Sequence, residues 1–113
     1  MKVLVCGGRD YADAATLHRA LDGLKAHGVD MVIHGGAKGA DWLAGQWAAQ
    51  NGIHQAVVPA LWETHGKAAG MIRNRAMLTL QPDMVVAFPG NAGTAGMVNE
   101  ARRAGVVVWE PGL

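Results

Sequence analysis

The sequence is poor in several features that define large classes of protein. Cys6 is the only cysteine, so no disulfide can form within the chain and no thiolate metal cluster is available. No apolar run reaches the roughly eighteen residues of a membrane span, and the run after Met1 is too short for a signal peptide. We therefore expect a protein of a reducing compartment, the cytoplasm, without membrane association.

Net charge and metal-ligand patterns are also lacking. The formal net charge is +1, which gives no general basic field for non-specific nucleic-acid binding. The five histidines have no spacing typical of metal ligands, so we expect no metal and no resident cofactor. Half of the 113 residues are apolar, which is enough for one core, and we expect a single domain over residues 1–113.

Apolar runs alternate with segments of helical periodicity along the chain. Short runs that end at turn residues predict buried strands at residues 3–6, 31–34, 55–58, 84–88 and 106–109. Helices are expected between them, near residues 17–27, 41–51, 66–80 and 94–104, with Thr94 as the cap of the last. This alternation is typical of right-handed βαβ units. It predicts an α/β, three-layer Rossmann-like sandwich with a five-stranded parallel sheet in the order 3-2-1-4-5.

Glycines cluster where three of the predicted strands end. In an open parallel sheet, ligands bind outside the carboxyl ends of the strands, near the switch in strand order. Glycine lets backbone N–H groups approach an anion, and a helix N-terminus adds positive potential. The turns therefore predict a phosphate site, although each turn alone is also explained as a tight connection. The candidate ligand-binding residues in them are Gly7, Gly8, Arg9, Gly35, Gly36, Lys38, Gly39, Asp41, Pro89, Gly90, Asn91, Gly93 and Thr94.

These turns match neither of two common phosphate-binding motifs. Lys38 is followed by Gly39 rather than by the Ser or Thr of a Walker loop, and no Gly-x-Gly-x-x-Gly follows the first strand. Arg9 is suited to clamp a phosphate bidentately, and Lys38 offers the same group a point charge. Asp41 is suited to accept a hydrogen bond from a ribose hydroxyl, but aspartate is also a good helix N-cap, which we prefer slightly.

Further candidates lie in and after the third predicted helix. Lys67 and Arg73 both reach a ligand only if this helix begins at the site. Asn74 is polar among apolar neighbours and is suited to pin a loop through backbone hydrogen bonds. Glu100 is a candidate general base, and its structural alternative is an exposed pair with Arg103 at i+3.

Four motifs occur in order along the chain: CGGRDY (6–11), HGGAKGAD (34–41), GKAAGMIRNRAML (66–78) and FPGNAGTAGM (88–97). Together they resemble the SLOG superfamily, most closely its small YspA-like branch. The resemblance implies a Rossmann-like parallel sheet. Members of the superfamily include nucleotide-ligand sensors, the LOG phosphoribohydrolases and the DNA-processing protein A.

The resemblance also assigns roles to individual positions. The phosphate-holding motif of the superfamily, Pro-Gly-Gly-x-Gly-Thr, falls on residues 89–94, with Asn91 in place of the second glycine. The glutamate that the LOG enzymes need three residues later is replaced by Met97, and Glu100 is the nearest acid. The arginine of those enzymes corresponds to Arg73, which is followed here by asparagine instead of the usual lysine.

Three functions are compatible with these residues. We prefer a module that binds a nucleotide or nucleotide-derived ligand without turnover, because the glycine turns are intact and the glutamate is missing. The alternative is hydrolysis of the N-glycosidic bond of a nucleoside monophosphate, with Arg73 orienting the ligand and Glu100 activating water. The third is single-stranded nucleic-acid binding through Lys67, Arg73 and Arg75, which the near-neutral net charge disfavours.

Two further expectations concern the large apolar residues. Trp62 lies near the site-facing segment and is suited to stack on a base. Four tryptophans and six methionines are hard to bury fully in so small a domain. Exposed apolar patches usually mark interfaces, so we predict a homodimer. The residues expected at its interface, in the second and third predicted helices, are Trp42, Trp47, Met71, Ile72, Met77 and Leu78.

Overall fold

The computed structural model describes residues 1–111; residues 112 and 113, the end of the predicted domain, lie outside it. Its sheet has five strands in the order β3-β2-β1-β4-β5, and every neighbouring pair is parallel. The predicted fold class, strand order and direction are therefore confirmed. The strands are β1 (Lys2–Cys6), β2 (Met31–His34), β3 (His54–Val57), β4 (Met84–Ala87) and β5 (Val107–Trp109).

Helices cover both faces of this sheet. They are α1 (Ala14–Lys25), α2 (Ala40–Gln50), α3 (Trp62–His65), α4 (Ala69–Leu78) and α5 (Ala92–Arg103), and a 3₁₀ turn (Gly66–Ala68) joins α3 to α4. Successive side chains of β1 point to opposite faces, as the pleat requires. Val3 and Val5 pack with α1 and α2, whereas Leu4 and Cys6 pack with α4 and α5. Apart from Lys2 and His34 at strand ends, the central strands are apolar because both of their faces are buried.

The helix predicted over residues 66–80 is present but shorter. Its first three residues, Gly66–Ala68, form the 3₁₀ turn, and α4 ends at Leu78. The short helix α3 lies before the predicted start and was not predicted. It ends at Gly66, whose φ of 57° belongs to the left-handed region that favours glycine, so Trp62 lies in a separate short element.

Two predicted helix caps are also wrong. The N-cap of α5 is Asn91, not Thr94, and its side chain accepts a hydrogen bond from the Gly93 N–H at 3.4 Å. The N-cap of α2 is Gly39, so Asp41 lies inside the helix with its carboxylate free for other partners. The strand ends differ from the prediction by one residue, as is common where elements fray. No helix among residues 1–111 has the length and apolar character needed to span a bilayer.

Candidate functional site

A cavity of about 660 Å³ opens at the carboxyl end of β1, where the strand order switches between β1 and β4. This is the position at which open parallel sheets bind ligands, and the volume is that of a small-molecule site. Its lining comes from the end of β1, from the three strand-to-helix turns and from α2, α3, α4 and α5. The lining residues are Val5, Cys6, Gly7, Arg9, Ala37, Asp41, Trp62, Gly70, Arg73, Asn74, Met77, Asn91, Gly93, Thr94 and Met97.

The glycine turns pack directly against one another at this edge of the sheet. A Cβ on Gly7 would lie 2.6 Å from Ala40 Cβ, and one on Gly90 would lie 2.7 Å from the Gly8 backbone nitrogen. The Gly8 N–H donates to Pro89 O at 2.9 Å, and Gly8 O accepts from the Ala40 N–H at 3.2 Å. Close loop packing thus accounts for these glycines, and it brings the first turns of α2 and α5 to either side of β1.

The first turn of α5 forms one wall of the cavity. Asn91, Gly93 and Thr94 line it there, and the first backbone N–H groups of a helix have no backbone partner within the helix. The Gly93 N–H donates to Asn91 Oδ1, so Ala92 and Thr94 carry the N–H groups that are left for a ligand. A Cβ on Gly93 would have Asn91 Oδ1, 3.9 Å away, as its nearest neighbour, so the space beside Gly93 is open. Arg9, exposed after β1, lines the same cavity. This wall therefore combines a helix N-terminus with a guanidinium, a pairing suited to an anion.

Arg73 enters the cavity from α4 and is held by two hydrogen bonds. Its Nη1 donates to Gly35 O and its Nε donates to Asn74 Oδ1, both at 3.2 Å. Asn74 is buried, and its Nδ2 donates to Gly93 O at 3.4 Å. Asn74 therefore bonds to the backbone of a helix rather than to the predicted loop, and it links Arg73 to the first turn of α5.

Asp41 is the buried carboxylate of the cavity. Its Oδ2 accepts hydrogen bonds from the backbone N–H groups of Gly35, at 3.1 Å, and Ala37, at 3.2 Å. Burial raises the pKa of Asp41 above its ordinary value, although these hydrogen bonds and the charge of Arg73 oppose the shift. The side chain thus fixes the β2–α2 turn, which is a different role from the predicted helix cap.

His34 stabilises the same β2–α2 turn through a hydrogen bond. Its Nδ1 accepts a hydrogen bond from the Gly36 N–H at 3.0 Å, which places the ring proton on Nε2, 2.9 Å from Gln55 Oε1. A Cβ on Gly45 would lie 3.0 Å from that Gln55 oxygen, so the small residue makes room for the pair. His34 is therefore a structural partner of the turn.

The remaining walls of the cavity are largely apolar. Met77 and Met97 are almost completely buried, and half of the Trp62 side chain is exposed at the mouth. A Cβ on Gly70 would lie 3.6 Å from Trp62 Cη2, so this glycine lies beside the indole. Burial raises the pKa of the Cys6 thiol to about 12, so the side chain is a neutral part of the wall. Gly70 and Met77 could not be predicted as lining residues from the sequence, because both are ordinary residues of a packed helix.

Several predicted site residues lie outside this lining. Lys38 and Lys67 are exposed on the surface. Glu100 instead lies 3.3 Å from Arg103 and 3.8 Å from Arg75, in the structural pairing that was its alternative role. The other predicted residues that do not line the cavity are Gly8, Gly35, Gly36, Gly39, Pro89 and Gly90.

Pro89 and Gly90 line a second cavity, of about 440 Å³, on the far side of the β4–α5 turn. Arg102 and Glu110 contribute to it, and they form an ion pair with an N–O distance of 3.5 Å. Across residues 1–111, no group of three or more His, Cys, Asp or Glu side chains is placed to hold a metal ion.

The five-stranded parallel sheet and the cavity at its switch point define a Rossmann-like α/β protein. The family model for the YspA, cpYpsA-related SLOG family matches residues 1–65. The chain is 39% identical over 124 aligned positions to the Gene 61 protein of Mycobacterium phage D29, covering 95% of this chain and 93% of that protein. It therefore belongs to the YspA, cpYpsA-related SLOG family, as the motifs indicated. No solved structure matches the chain significantly.

Membership in this family indicates a Rossmann-like module related to nucleotides. The matched residues include the turns after β1 and β2, with Arg9 and Asp41. The turn after β4, α4 and α5 lie beyond residue 65. Their assignment to the site therefore rests on the residues that they contribute to the cavity.

Proposed function

We propose that this protein binds a nucleotide or nucleotide-derived phosphorylated ligand in the cavity at the end of β1, as a sensor or binding module without turnover. The observation that carries this proposal is the composition of one cavity. It combines a helix N-terminus and two arginines with an apolar wall and a half-exposed tryptophan. A nucleotide has a matching arrangement, with a charged phosphate at one end and a flat aromatic base at the other.

The phosphate end of the ligand fits the first turn of α5. Backbone N–H groups there, together with the Thr94 hydroxyl, are donors for phosphate oxygens. Arg9 and Arg73 supply the positive charge, and the Asn74 hydrogen bond limits the rotation of the Arg73 side chain before the ligand arrives. A preorganised arginine loses less side-chain entropy when it binds, which favours affinity.

The base end of the ligand fits the opposite, apolar part of the cavity. The indole of Trp62 is suited to stack on a base, and the Met77 and Met97 side chains supply polarisable contacts. Trp62 lies on the separate short helix α3, and Gly70 leaves space beside the indole. A ligand without an aromatic ring gains none of this stacking.

The positions of the acidic side chains support binding without turnover. Met97 occupies the wall where the resembling hydrolases carry a glutamate, and a thioether can neither activate water nor stabilise positive charge at a sugar carbon. Glu100 lies outside the lining and is paired with two arginines.

Calorimetric titration with purine and pyrimidine mono- and diphosphates tests this proposal. We expect the wild-type protein to bind at least one of them, and Gly93→Val to weaken that binding by about tenfold or more, since its side chain fills the open space beside α5. Gly23→Val is the matched control, because Gly23 is an exposed helical glycine of α1 with no atom near its Cβ position. Absence of binding to every nucleotide would refute the function. Unchanged affinity in Gly93→Val would remove α5 from the site.

We also propose that the protein forms a homodimer through exposed apolar side chains on α3 and α4. This surface, the α3–α4 patch, consists of Leu61, Trp62, Met71 and Ile72, which are 39–53% exposed. Two residues predicted for the interface are excluded, because Trp47 and Met77 are 1% and 2% exposed and pack in the core. Trp42, on α2, is exposed and remains a candidate.

A further inference from the structure

One oxygen of the buried Asp41 carboxylate is committed to the fold and the other is not. Oδ2 accepts both backbone hydrogen bonds of the β2–α2 turn, from Gly35 and Ala37. Within residues 1–111, no hydrogen bond engages Oδ1, and no buried side-chain oxygen is left without a partner. Oδ1 is therefore reached from the cavity that Asp41 lines. A side chain that is 7% exposed and keeps a free acceptor toward a cavity is suited to bind a donor there.

We infer that Asp41 is a specificity-determining residue that accepts a hydrogen bond from a sugar hydroxyl of the ligand, an inference that rests on the proposed nucleotide site. The strand order places the β2–α2 turn, with Asp41, on one side of β1 and the first turn of α5 on the other. Neighbouring strands lie about 4.8 Å apart, so β2 and β4 are separated by roughly 10 Å across β1. A ligand with its phosphate at α5 therefore presents another part of its structure to Asp41.

The charges of the cavity determine which chemical group Asp41 can accept. A second phosphate beside an ionised carboxylate would be repelled, and so this end of the cavity is closed to anions. A cationic group would be repelled by Arg9 and Arg73, which line the same space. A neutral donor is therefore the group that fits. In a nucleotide the sugar lies between the phosphate and the base, and its hydroxyls are the neutral donors nearest to the phosphate.

The substitution Asp41→Asn separates this role from the structural one. The amide oxygen of asparagine can accept both backbone hydrogen bonds of the turn, so the turn is retained. The amide nitrogen then takes the place of Oδ1, so the hydroxyl can no longer donate to a charged oxygen and can only accept a weaker hydrogen bond from the amide. The variant should keep the fold and lose most of the preference for a hydroxyl.

The test compares one nucleoside monophosphate with its 2′-deoxy and 2′,3′-dideoxy analogues by calorimetry. A hydrogen bond to a charged group corresponds to roughly a tenfold to hundredfold preference, so wild type should bind the ribonucleotide that much more tightly than the dideoxy analogue. Asp41→Asn should lower this preference about fivefold or more, because the remaining hydrogen bond joins two neutral groups. Changing the base at constant sugar, from adenine to hypoxanthine, should leave the sugar preference of the wild type in place.

The outcomes distinguish this inference from the function on which it rests. Wild-type protein that binds nucleotides but does not discriminate between the ribo and dideoxy forms would overturn the role of Asp41 and leave the proposed function standing. An undiminished preference in Asp41→Asn would overturn it as well. Wild-type protein that binds no nucleotide would overturn both. The analogue series with wild type decides the question even if the variant fails to fold.

Discussion

Asn74 Oδ1 accepts a hydrogen bond from Arg73 Nε, at 3.2 Å, and this pair joins α4 to the anion-binding wall. The same Asn74 side chain donates to Gly93 O, in the first turn of α5. An arginine and the backbone N–H groups suited to the same phosphate are thus held together by one buried amide. The asparagine that follows Arg73 is explained by this bridge, which a lysine could not make because it has no acceptor.

Asn74→Ala should therefore affect stability and binding together. Loss of both hydrogen bonds should lower the free energy of unfolding by about 1 kcal/mol or more, and the freed Arg73 should lower nucleotide affinity by about tenfold. Denaturant unfolding and calorimetry measure the two effects. Asn99→Ala, an exposed asparagine on α5, is the control and should change neither. Wild-type affinity in Asn74→Ala would show that the bridge does not position Arg73.

Most of the fold could be predicted, because the central strands carry apolar side chains on both faces and end at turn residues. The roles of the glycines could not. Gly7 and Gly90 lack a Cβ because neighbouring turns approach them closely, whereas beside Gly93 the space is open. The sequence alone does not distinguish a glycine that lets another loop pack closely from one that leaves space for an anion. The short helix α3, which ends before Gly66, was missed because four residues are too few to show helical periodicity.

The single cysteine provides a probe of the cavity. Burial raises the pKa of the Cys6 thiol from 9.0 to about 12, so ionising it reduces stability as the pH rises through that range. At neutral pH the folded protein carries a thiol, which is a poor nucleophile. We expect iodoacetamide to label Cys6 far more slowly than in denaturant, and a bound nucleotide to slow it further because Cys6 lines the cavity. Mass spectrometry measures the labelling rate, because Cys6 is the only cysteine. Equal labelling rates in folded and denatured protein would contradict the burial of Cys6.

Asp41→Asn should stabilise the protein at neutral pH. Burial raises the pKa of Asp41 above its unfolded value, so its ionisation in the folded state lowers stability as the pH rises through the folded pKa. Asparagine does not ionise, so the variant should have the higher Tm at neutral pH, and the difference should shrink toward the unfolded pKa of about 3.9. Thermal unfolding of both proteins at a series of pH values measures this difference in Tm.

The control for that experiment is Asp30→Asn, which should change stability in the opposite direction. The pKa of Asp30 is lowered, first by its hydrogen bond with the N-terminal amine, 3.0 Å away. Its stabilisation is present above the unfolded pKa and is lost as the pH falls through the folded one. Asp30→Asn should therefore have the lower Tm at neutral pH. A lower neutral-pH Tm for Asp41→Asn as well would show that the Asp41 charge stabilises the turn.

The α3–α4 patch predicts the oligomeric state. We expect light scattering to give a dimer mass for the wild type and a monomer mass for Met71→Glu, because a charge at the centre of an apolar interface is left unpaired. Val107→Glu, an exposed apolar residue on the edge strand β5, is the control and should remain dimeric. A wild-type protein that is monomeric at every concentration tested would contradict the interface.

The last prediction separates a binding module from a hydrolase. We expect little or no free base when the protein is incubated with purine or pyrimidine monophosphates, as measured by chromatography. Cleavage of the N-glycosidic bond needs a carboxylate to activate water and to stabilise charge at the sugar carbon. Glu100 is outside the cavity and holds Arg75 and Arg103, so Glu100→Gln should leave both the binding and the absence of turnover unchanged.

Two further variants complete that assay. Met97→Glu should lower stability rather than install activity, because position 97 is 1% exposed in an apolar cluster and burying a carboxylate there costs its hydration. Asp41 is the acidic side chain that lines the cavity among residues 1–111. If the wild type does release base, Asp41→Asn should therefore abolish the release and Glu100→Gln should not. Turnover that is lost in Glu100→Gln alone would reverse our preference, because it would require Glu100 to leave its arginine partners and enter the cavity during the reaction.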